Sequence, residues 1–190
     1  MLKEHAVIFD LDGTLLNTLD DLTASVNAAM KAAGLKPHSR EEVRQYVGNG
    51  VMKLIERCVP DGKENPQFKK AYGAFRIHYA AHCRDKTAPY DGIIQLLGRL
   101  RAQGVPVAVV SNKFDAAVKK LCDAYFAGLI PVVIGEKDGV RPKPAPDTVL
   151  EALRALGMTP EKAIYVGDSE VDIETANNAG TEQVSVCSGF

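Results

Sequence analysis

The sequence predicts an α/β protein with a doubly wound parallel sheet and an all-helical insertion after the first strand. Short, almost wholly apolar runs recur along the chain, and such runs are typical of strands buried on both faces of a sheet. Segments with a helical spacing of apolar residues separate these runs in the second half of the chain. Strand and helix therefore alternate, as they do where helices connect parallel strands.

The first strand is expected in the run HAVIFD, residues 5–10, which Asp12 and Gly13 follow closely. An Asp-Gly pair between apolar runs can form a hairpin turn. Residues 14–34, however, carry apolar side chains at a helical spacing, so we expect the strand to lead into a helix and not into a second strand.

The later strands and helices continue this alternation. The expected strands are residues 106–111, 131–135, 163–168 and 182–187, and the expected helices are residues 92–104, 115–126 and 146–157. Residues 17–86 interrupt the pattern with helical segments and no strand between them. We therefore predict a core domain of residues 1–16 and 87–190, and a helical domain of residues 17–86.

Composition excludes several classes of protein. Of the 190 residues, 23 are Lys or Arg and 24 are Asp or Glu, so the balanced charge disfavours a nucleic-acid partner. No apolar stretch approaches the ~20 residues of a membrane span, and the first residues do not resemble a signal peptide. The 4 cysteines lie far apart, which fits reduced thiols. We expect a cytoplasmic monomer or homodimer that binds a small molecule.

Polar and charged side chains follow several of the expected strands at the point where each strand ends. Taken singly, each could be a helix cap or a solvated loop residue. Right-handed crossovers, however, bring the carboxyl ends of parallel strands to one edge of the sheet, where α/β proteins bind ligands. The residues that should meet there are Asp10, Asp12, Ser111, Asn112, Lys143, Asp168 and Asp172.

Electrostatics indicates what such a crevice binds. Two carboxylates ~4 Å apart repel by about 4 kcal/mol at an effective dielectric constant of ~20, so the cluster needs a cation. Carboxylate oxygens without histidine or thiolate favour Mg²⁺, which commonly shares its coordination with substrate phosphate. Metal, lysine and helix N-termini together favour a phosphoryl group, and a neighbouring carboxylate can attack its phosphorus to form an aspartyl-phosphate.

Four motifs resemble those of the haloacid dehalogenase superfamily, on its phosphatase branch. They are DLDGT at 10–14, SN at 111–112, KPAPD at 143–147 and GDSEVD at 167–172, in the family's order. The resemblance covers almost the whole chain. It implies a Rossmann-like core domain with an inserted helical cap domain.

The resemblance also implies roles for individual residues. Asp10 would be the nucleophile and Asp12 the general acid and base, which an ester hydrolase needs for its leaving alcohol. The Asp10 and Asp168 side chains and the Asp12 carbonyl would bind Mg²⁺, with Asp172 just outside these ligands. The residues implied to hold the transferring phosphoryl group are Ser111, Asn112 and Lys143.

Residues 45–58 and 88–104, with the lysine that follows SN, are similar to phosphoglycolate phosphatases. This similarity implies 2-phosphoglycolate as the substrate, with a pyrophosphatase or a sugar-phosphate phosphatase as alternatives. A turn at a helix start in the helical domain could bind the substrate carboxylate. The residues expected to contribute to substrate binding are Gly48, Asn49, Gly50, Lys53 and Lys113.

A phosphate-accepting signalling receiver is the alternative from a different class. Receivers also have an α/β core with acidic strand ends and a lysine, but they accept phosphate on the third strand and lack a helical insertion of about 70 residues.

Relatives of the phosphatase branch usually continue beyond the position of Phe190, so we expect the chain to be shortened at its end.

Overall fold

The computed structural model describes residues 4–187, and its main sheet in that part of the chain is parallel throughout. The strands of this sheet are β1 (Ala6–Phe9), β4 (Val107–Phe114), β5 (Val132–Glu136), β6 (Ala163–Gly167) and β7 (Glu182–Ser185). Their spatial order is β5-β4-β1-β6-β7, while the short strands β2 (Leu16–Asn17) and β3 (Ala88–Pro89) pair with each other. The predicted fold class, a Rossmann-like doubly wound sheet, is confirmed.

Helices alternate with the strands of this sheet from β4 onward, and one helix precedes β4. They are α5 (Ile93–Ala102), α6 (Asp115–Phe126), α7 (Asp147–Leu156) and α8 (Glu170–Ala179). Strand β1 is buried at every position, and its Val7 lies between Val107 on β4 and Ile164 on β6. This placement explains the uninterrupted apolar run, because a central parallel strand has no solvent-facing side.

The strand order creates a switch point beside β1. From this central strand the chain goes first to β4 and β5 on one side and later to β6 and β7 on the other. The helical connections therefore diverge at the carboxyl end of β1 and leave a crevice there. Asp10 directly follows β1, Ser111 lies in the second half of β4, and Asp168 directly follows β6.

Residues 18–88 form a second compact unit, while the other described residues, up to Asn17 and from Pro89 onward, form the first. The helices of the second unit are α1 (Leu19–Ala33), α2 (Arg40–Tyr46), α3 (Gly50–Cys58) and α4 (Phe68–His82). α1 packs along α4 through the apolar face that the helical spacing predicted. The buried Asp21 carboxylate accepts hydrogen bonds from the Lys86 and Thr87 backbones and so ties the start of this unit to its end.

The stretch between β1 and α1 differs from the prediction. We expected a helical pattern from residue 14, but α1 begins at Leu19. The Leu15 and Leu16 amides donate to the Leu11 carbonyl, and the Gly13 amide donates to the Leu16 carbonyl at 2.9 Å. These bonds form a tight loop that is neither a simple hairpin nor a helix start, and its leucine side chains are fully buried.

Within residues 4–187, every helix is too short or too polar to cross a membrane. The expectation about the end of the chain concerns Phe190, which lies outside the described residues.

Candidate active site

The site is centred on Asp10, which is held at the carboxyl end of β1. Its backbone amide donates to the Val166 carbonyl at 2.9 Å, so the β1–β6 pairing continues into the site. The Asp10 side chain is almost fully buried. Burial raises the pKa of Asp10 above its ordinary value, and the Asp172 and Asp12 carboxylates add to this rise while the Lys143 ammonium opposes it.

Lys143 contacts Asp10 directly. Its Nζ lies 2.7 Å from Asp10 Oδ1, 2.6 Å from Asp172 Oδ1 and 3.0 Å from the Tyr165 hydroxyl. Burial alone would lower the pKa of Lys143, but the two carboxylates outweigh burial and hold the pKa well above its ordinary value. The lysine is therefore a charged ammonium beside the Asp10 carboxylate.

Asn112 positions Lys143 through the backbone. The Asn112 Oδ1 accepts from the Lys143 amide at 2.8 Å, and its Nδ2 donates to the Lys143 carbonyl at 2.9 Å. Asn178 Nδ2 donates to the carbonyl of Pro144, the next residue, at 2.9 Å. The Asn112 side chain thus holds the loop that carries Lys143, and its expected contact with a phosphoryl group stays a prediction.

Ser111 and Asn112 lie within β4, so neither is the cap of the next helix. Ser111 is buried, and its Oγ accepts from the Lys113 amide at 3.2 Å. The Lys113 side chain is also buried, and its Nζ lies 3.0 Å from Asp12 Oδ2. The structure thus brings Ser111, Lys113 and Asp12 together, although the sequence predicts a different role for each of them.

Asp172 belongs to the start of α8. Its Oδ2 accepts from the Ser169 hydroxyl at 2.6 Å and from the Ser169 amide at 3.1 Å, which forms a capping box. Its Oδ1 accepts from Lys143 and Tyr165. Although burial opposes ionisation, the Lys143 ammonium and these hydrogen bonds hold the pKa of Asp172 below its usual range.

Asp168 is held by the loop after β1. Thr14 Oγ1 donates to Asp168 Oδ1 at 3.0 Å. A Cβ on Gly13 would lie 2.3 Å from Asp168 Oδ2, and the Gly13 φ of +86° is unfavourable for other residues. Similarly, a Cβ on Gly167 would lie 2.4 Å from the Asp172 Cβ. The two glycines let the acidic residues approach the loop and strand closely.

A candidate metal site lies among three carboxylates within residues 4–187. One oxygen from each side chain lies within 4.8 Å of the other two, and the residues are Asp10, Asp168 and Asp172. Burial raises the pKa of Asp168 to about 6, an effect that the Thr14 hydrogen bond only partly offsets. A cation bound beside Asp168 would favour its ionised form. An all-carboxylate set fits Mg²⁺ better than it fits zinc or copper.

The residues that we expected in the helical unit lie around the start of α3. Gly48 and Gly50 have positive φ angles of 119° and 83°. Asn49 is the N-cap residue, and its Oδ1 accepts from Arg57 at 2.8 Å. Lys53 Nζ pairs with Glu56 at 3.0 Å. Their expected contact with substrate stays a prediction.

Sequence reasoning missed two residues of the site, Tyr165 and Thr14. Tyr165 looked like an ordinary core residue of a strand, which its burial fits. A signal for Tyr165 was available, because Tyr165 lies near the end of an expected strand that two aspartates closely follow, and a buried phenol there needs a hydrogen-bond partner.

An α/β core whose central strands end in acidic residues, with a buried lysine against them, is typical of proteins that bind and transfer phosphoryl groups. Residues 7–186 match the family of haloacid dehalogenase-like hydrolases, and the chain belongs to this family. It is similar to the phosphoglycolate phosphatase of Aquifex aeolicus, with 35% identity over 188 residues that cover 98% of this chain and 86% of the relative.

Further relatives point to the same chemistry. The chain is 32% identical to the N-acetylmuramic acid 6-phosphate phosphatase of Pseudomonas aeruginosa over 190 residues, which cover 100% of this chain and 84% of the relative. Among solved structures, CbbY from Rhodobacter sphaeroides in complex with phosphate has a TM-score of 0.83 and 28% identity, covering 98% of this chain and 87% of CbbY. The chain is a phosphatase of the haloacid dehalogenase-like family.

Proposed function

We propose that the chain hydrolyses a small phosphate monoester with bound Mg²⁺, through a covalent phosphoryl group on Asp10, and that 2-phosphoglycolate is its substrate. The observation that carries this proposal is the buried contact between Asp10 Oδ1 and Lys143 Nζ at 2.7 Å, with Asp168 beside it. The Lys143 ammonium opposes the effect of burial on Asp10 and favours the ionised carboxylate that attack on phosphorus requires.

In the first half of the reaction, an Asp10 carboxylate oxygen attacks phosphorus, and the bond between phosphorus and the ester oxygen breaks. Asp12 donates a proton to the departing alkoxide, which leaves as the alcohol. Asp12 lies on the same loop two residues further on, and the Lys113 ammonium contacts it at 3.0 Å. Lys143, Ser111 and the backbone around Asn112 orient the phosphoryl oxygens.

In the second half, Asp12, now ionised, takes a proton from a water molecule, whose oxygen attacks phosphorus. The bond between phosphorus and the Asp10 oxygen breaks, inorganic phosphate leaves and the Asp10 carboxylate is restored. Asp10, Asp168 and the Asp12 carbonyl would hold Mg²⁺, with Asp172 outside them. The ion supplies positive charge that offsets the negative charge of the phosphoryl oxygens.

The proposed substrate rests on the relatives and on charge. Phosphoglycolate phosphatases recur among the curated relatives at 31–35% identity. Phosphoglycolate carries a carboxylate near its phosphate, which needs a second cationic or amide-rich contact. We propose that Lys113 supplies one such contact, and that residues 18–88 act as a cap whose turn at Gly48–Gly50, with Lys53, supplies another.

A sugar phosphate is the second candidate substrate. One observation that favours it is the similarity to an N-acetylmuramic acid 6-phosphate phosphatase. Another is the similarity to a solved complex of CbbY (mutant D10N) with xylulose-(1,5)bisphosphate, to which this chain is 27% identical with a TM-score of 0.82. N-acetylmuramic acid 6-phosphate, like phosphoglycolate, carries a free carboxylate in addition to a phosphate ester on a hydroxyl group. A carboxylate contact would serve either compound.

The test compares kcat/KM for phosphoglycolate, N-acetylmuramic acid 6-phosphate, pyrophosphate and an aryl phosphate whose aryl group carries no charge. We expect phosphoglycolate to be preferred. Lys113→Met and Gly50→Phe should lower kcat/KM for phosphoglycolate by at least about tenfold more than for the aryl phosphate, as loss of a charge-assisted contact predicts. Lys119→Met, on the exposed side of α6, is the matched control. Equal losses on both esters would reject the carboxylate contact.

A further inference from the structure

The hydroxyl of Tyr165 connects two charged residues of the site. Tyr165 lies in β6 and is fully buried. Its hydroxyl accepts a hydrogen bond from Lys143 Nζ at 3.0 Å and donates one to Asp172 Oδ1 at 3.0 Å. A phenol that served only to fill the core would need at most one partner, whereas this hydroxyl both accepts and donates.

The contact completes the hydrogen bonding of the Lys143 ammonium. An ammonium has three N–H donors, and Lys143 has three acceptors within 3.0 Å, namely Asp10 Oδ1, Asp172 Oδ1 and the Tyr165 oxygen. Three acceptors prevent the group from rotating about its Cε–Nζ bond. Since the third acceptor is neutral, it orients the ammonium without adding another negative charge to an acidic site.

The position of the Tyr165 ring is itself well defined. Tyr165 lies opposite Ile8 of β1 in the parallel register, and its ring belongs to the core cluster formed with residues such as Val110, Val149 and Ala176. A packed ring with two rotatable bonds is a rigid support for its hydroxyl. Lys143, by contrast, has a long flexible side chain that needs such a support.

We propose that Tyr165 is a positioning residue for phosphoryl transfer, whose hydroxyl orients the Lys143 ammonium and the Asp172 carboxylate so that one ammonium N–H is directed at Asp10. The proposal rests on the proposed function of Asp10 and Lys143. It assigns no contact between Tyr165 and the substrate.

Tyr165→Phe tests the proposal. The variant removes one oxygen, leaves a buried N–H of Lys143 without its acceptor and lets the ammonium turn toward Asp172, which is its nearer carboxylate. We expect kcat to fall about tenfold, with KM within about twofold of wild type, because phosphate binding keeps its other contacts while Lys143 is misdirected during transfer.

Tyr79→Phe is the matched control. Tyr79 is a buried tyrosine of α4, in the other compact unit, and this change also removes one phenol oxygen. A merely structural role of Tyr165 would lower the melting temperature and leave kcat per folded molecule unchanged, as we expect for Tyr79→Phe. An unchanged kcat in Tyr165→Phe, with wild type active, would overturn the proposal.

A second measurement does not depend on phosphatase activity. In protein with ¹⁵N-labelled lysine, the Lys143 ammonium signal is assigned by its loss in Lys143→Met, and its proton exchange is compared between wild type and Tyr165→Phe. We expect exchange at least about tenfold faster in the variant, because one of three hydrogen bonds is lost. Equal rates of ammonium proton exchange in the two proteins overturn the proposal. This result does not depend on whether the wild-type protein is an active phosphatase.

Folding failure of Tyr165→Phe would not prevent the test. The Tyr165 hydroxyl proton of the wild-type protein should then show slow exchange and a through-space NMR contact with the Lys143 ammonium protons, since both oxygen and nitrogen are buried. Absence of that contact in folded wild-type protein would overturn the proposal.

Discussion

Asp10 and Lys143 form an ion pair in which the Oδ1–Nζ distance is 2.7 Å and both side chains are almost completely buried. A pair of opposite charges in such a place is stabilised only when further hydrogen bonds satisfy both groups. Asp172 and Tyr165 supply them to Lys143. The Lys143 ammonium is thereby fixed beside Asp10, where it opposes the effect of burial and favours the ionised carboxylate that the proposed reaction requires.

Asp10→Asn should abolish turnover. An amide is a poor nucleophile toward phosphorus and a weaker metal ligand, so we expect kcat to fall by more than about a thousandfold. Steady-state assays of phosphate release with Mg²⁺ present would measure the loss, and circular dichroism would check that the fold is kept. Asp138→Asn, at an exposed position of the same unit, is the control. Turnover by Asp10→Asn within tenfold of wild type would reject Asp10 as the nucleophile.

Asp12→Asn should affect substrates according to their leaving group. Loss of a general acid and base costs about 10²–10⁴-fold, but a nitrophenolate leaves without needing a proton. We expect phospho-enzyme formation from an alkyl phosphate to slow by at least a hundredfold, and formation from nitrophenyl phosphate to slow much less. Rapid-quench experiments would separate this step from hydrolysis of the phospho-enzyme, which should slow for both substrates. Unchanged rates in both steps would remove Asp12 from acid and base catalysis.

Mg²⁺ should raise the melting temperature in a pH-dependent way. The raised pKa of Asp168, about 6, means that the metal-free folded state binds extra protons between about pH 4 and 6. The contribution of Asp168 to stability therefore falls as the pH rises through that window. Mg²⁺ needs the ionised carboxylate, so its stabilising effect should grow over the same range.

At Mg²⁺ concentrations of about 100 Kd we expect a rise of roughly 5–10 °C near pH 7.5, and a smaller rise near pH 5. Asp168→Asn should lose most of the rise at both pH values. If the variant and the wild type respond equally, Mg²⁺ binds elsewhere.

Gly13→Ala should destabilise the protein and weaken its response to Mg²⁺. The added Cβ would lie 2.3 Å from Asp168 Oδ2, and the backbone φ of +86° disfavours alanine, so we expect a loss of at least about 2 kcal/mol. Gly98→Ala is the matched control, because that glycine lies inside α5 with no atom within 4 Å of the added Cβ. It should gain roughly 0.5–1 kcal/mol from helix propensity. Denaturant unfolding would measure both, and equal stabilities would contradict the close approach.

Local patterns predicted the parts of the molecule that depend on each residue's own environment. The apolar run before Asp10 indicated a strand buried on both faces, and the structure buries every position of β1. The alternation of strands and helices then predicted a parallel sheet, and thereby the edge at which Asp10, Ser111 and Asp168 are found. These inferences need only burial and chain direction, which a sequence displays directly.

Only the tertiary structure decided the partners of the site residues. Lys143 lies 133 positions from Asp10 and 22 from Tyr165 along the chain, and no local pattern specifies a contact over such separations. The Asn112 side chain bonds to the Lys143 backbone because the loop after β5 lies against it, and the SN motif alone does not specify that contact. Hydrophobic periodicity reports whether a side chain is buried, whereas its hydrogen-bond partner depends on the register and packing of distant segments.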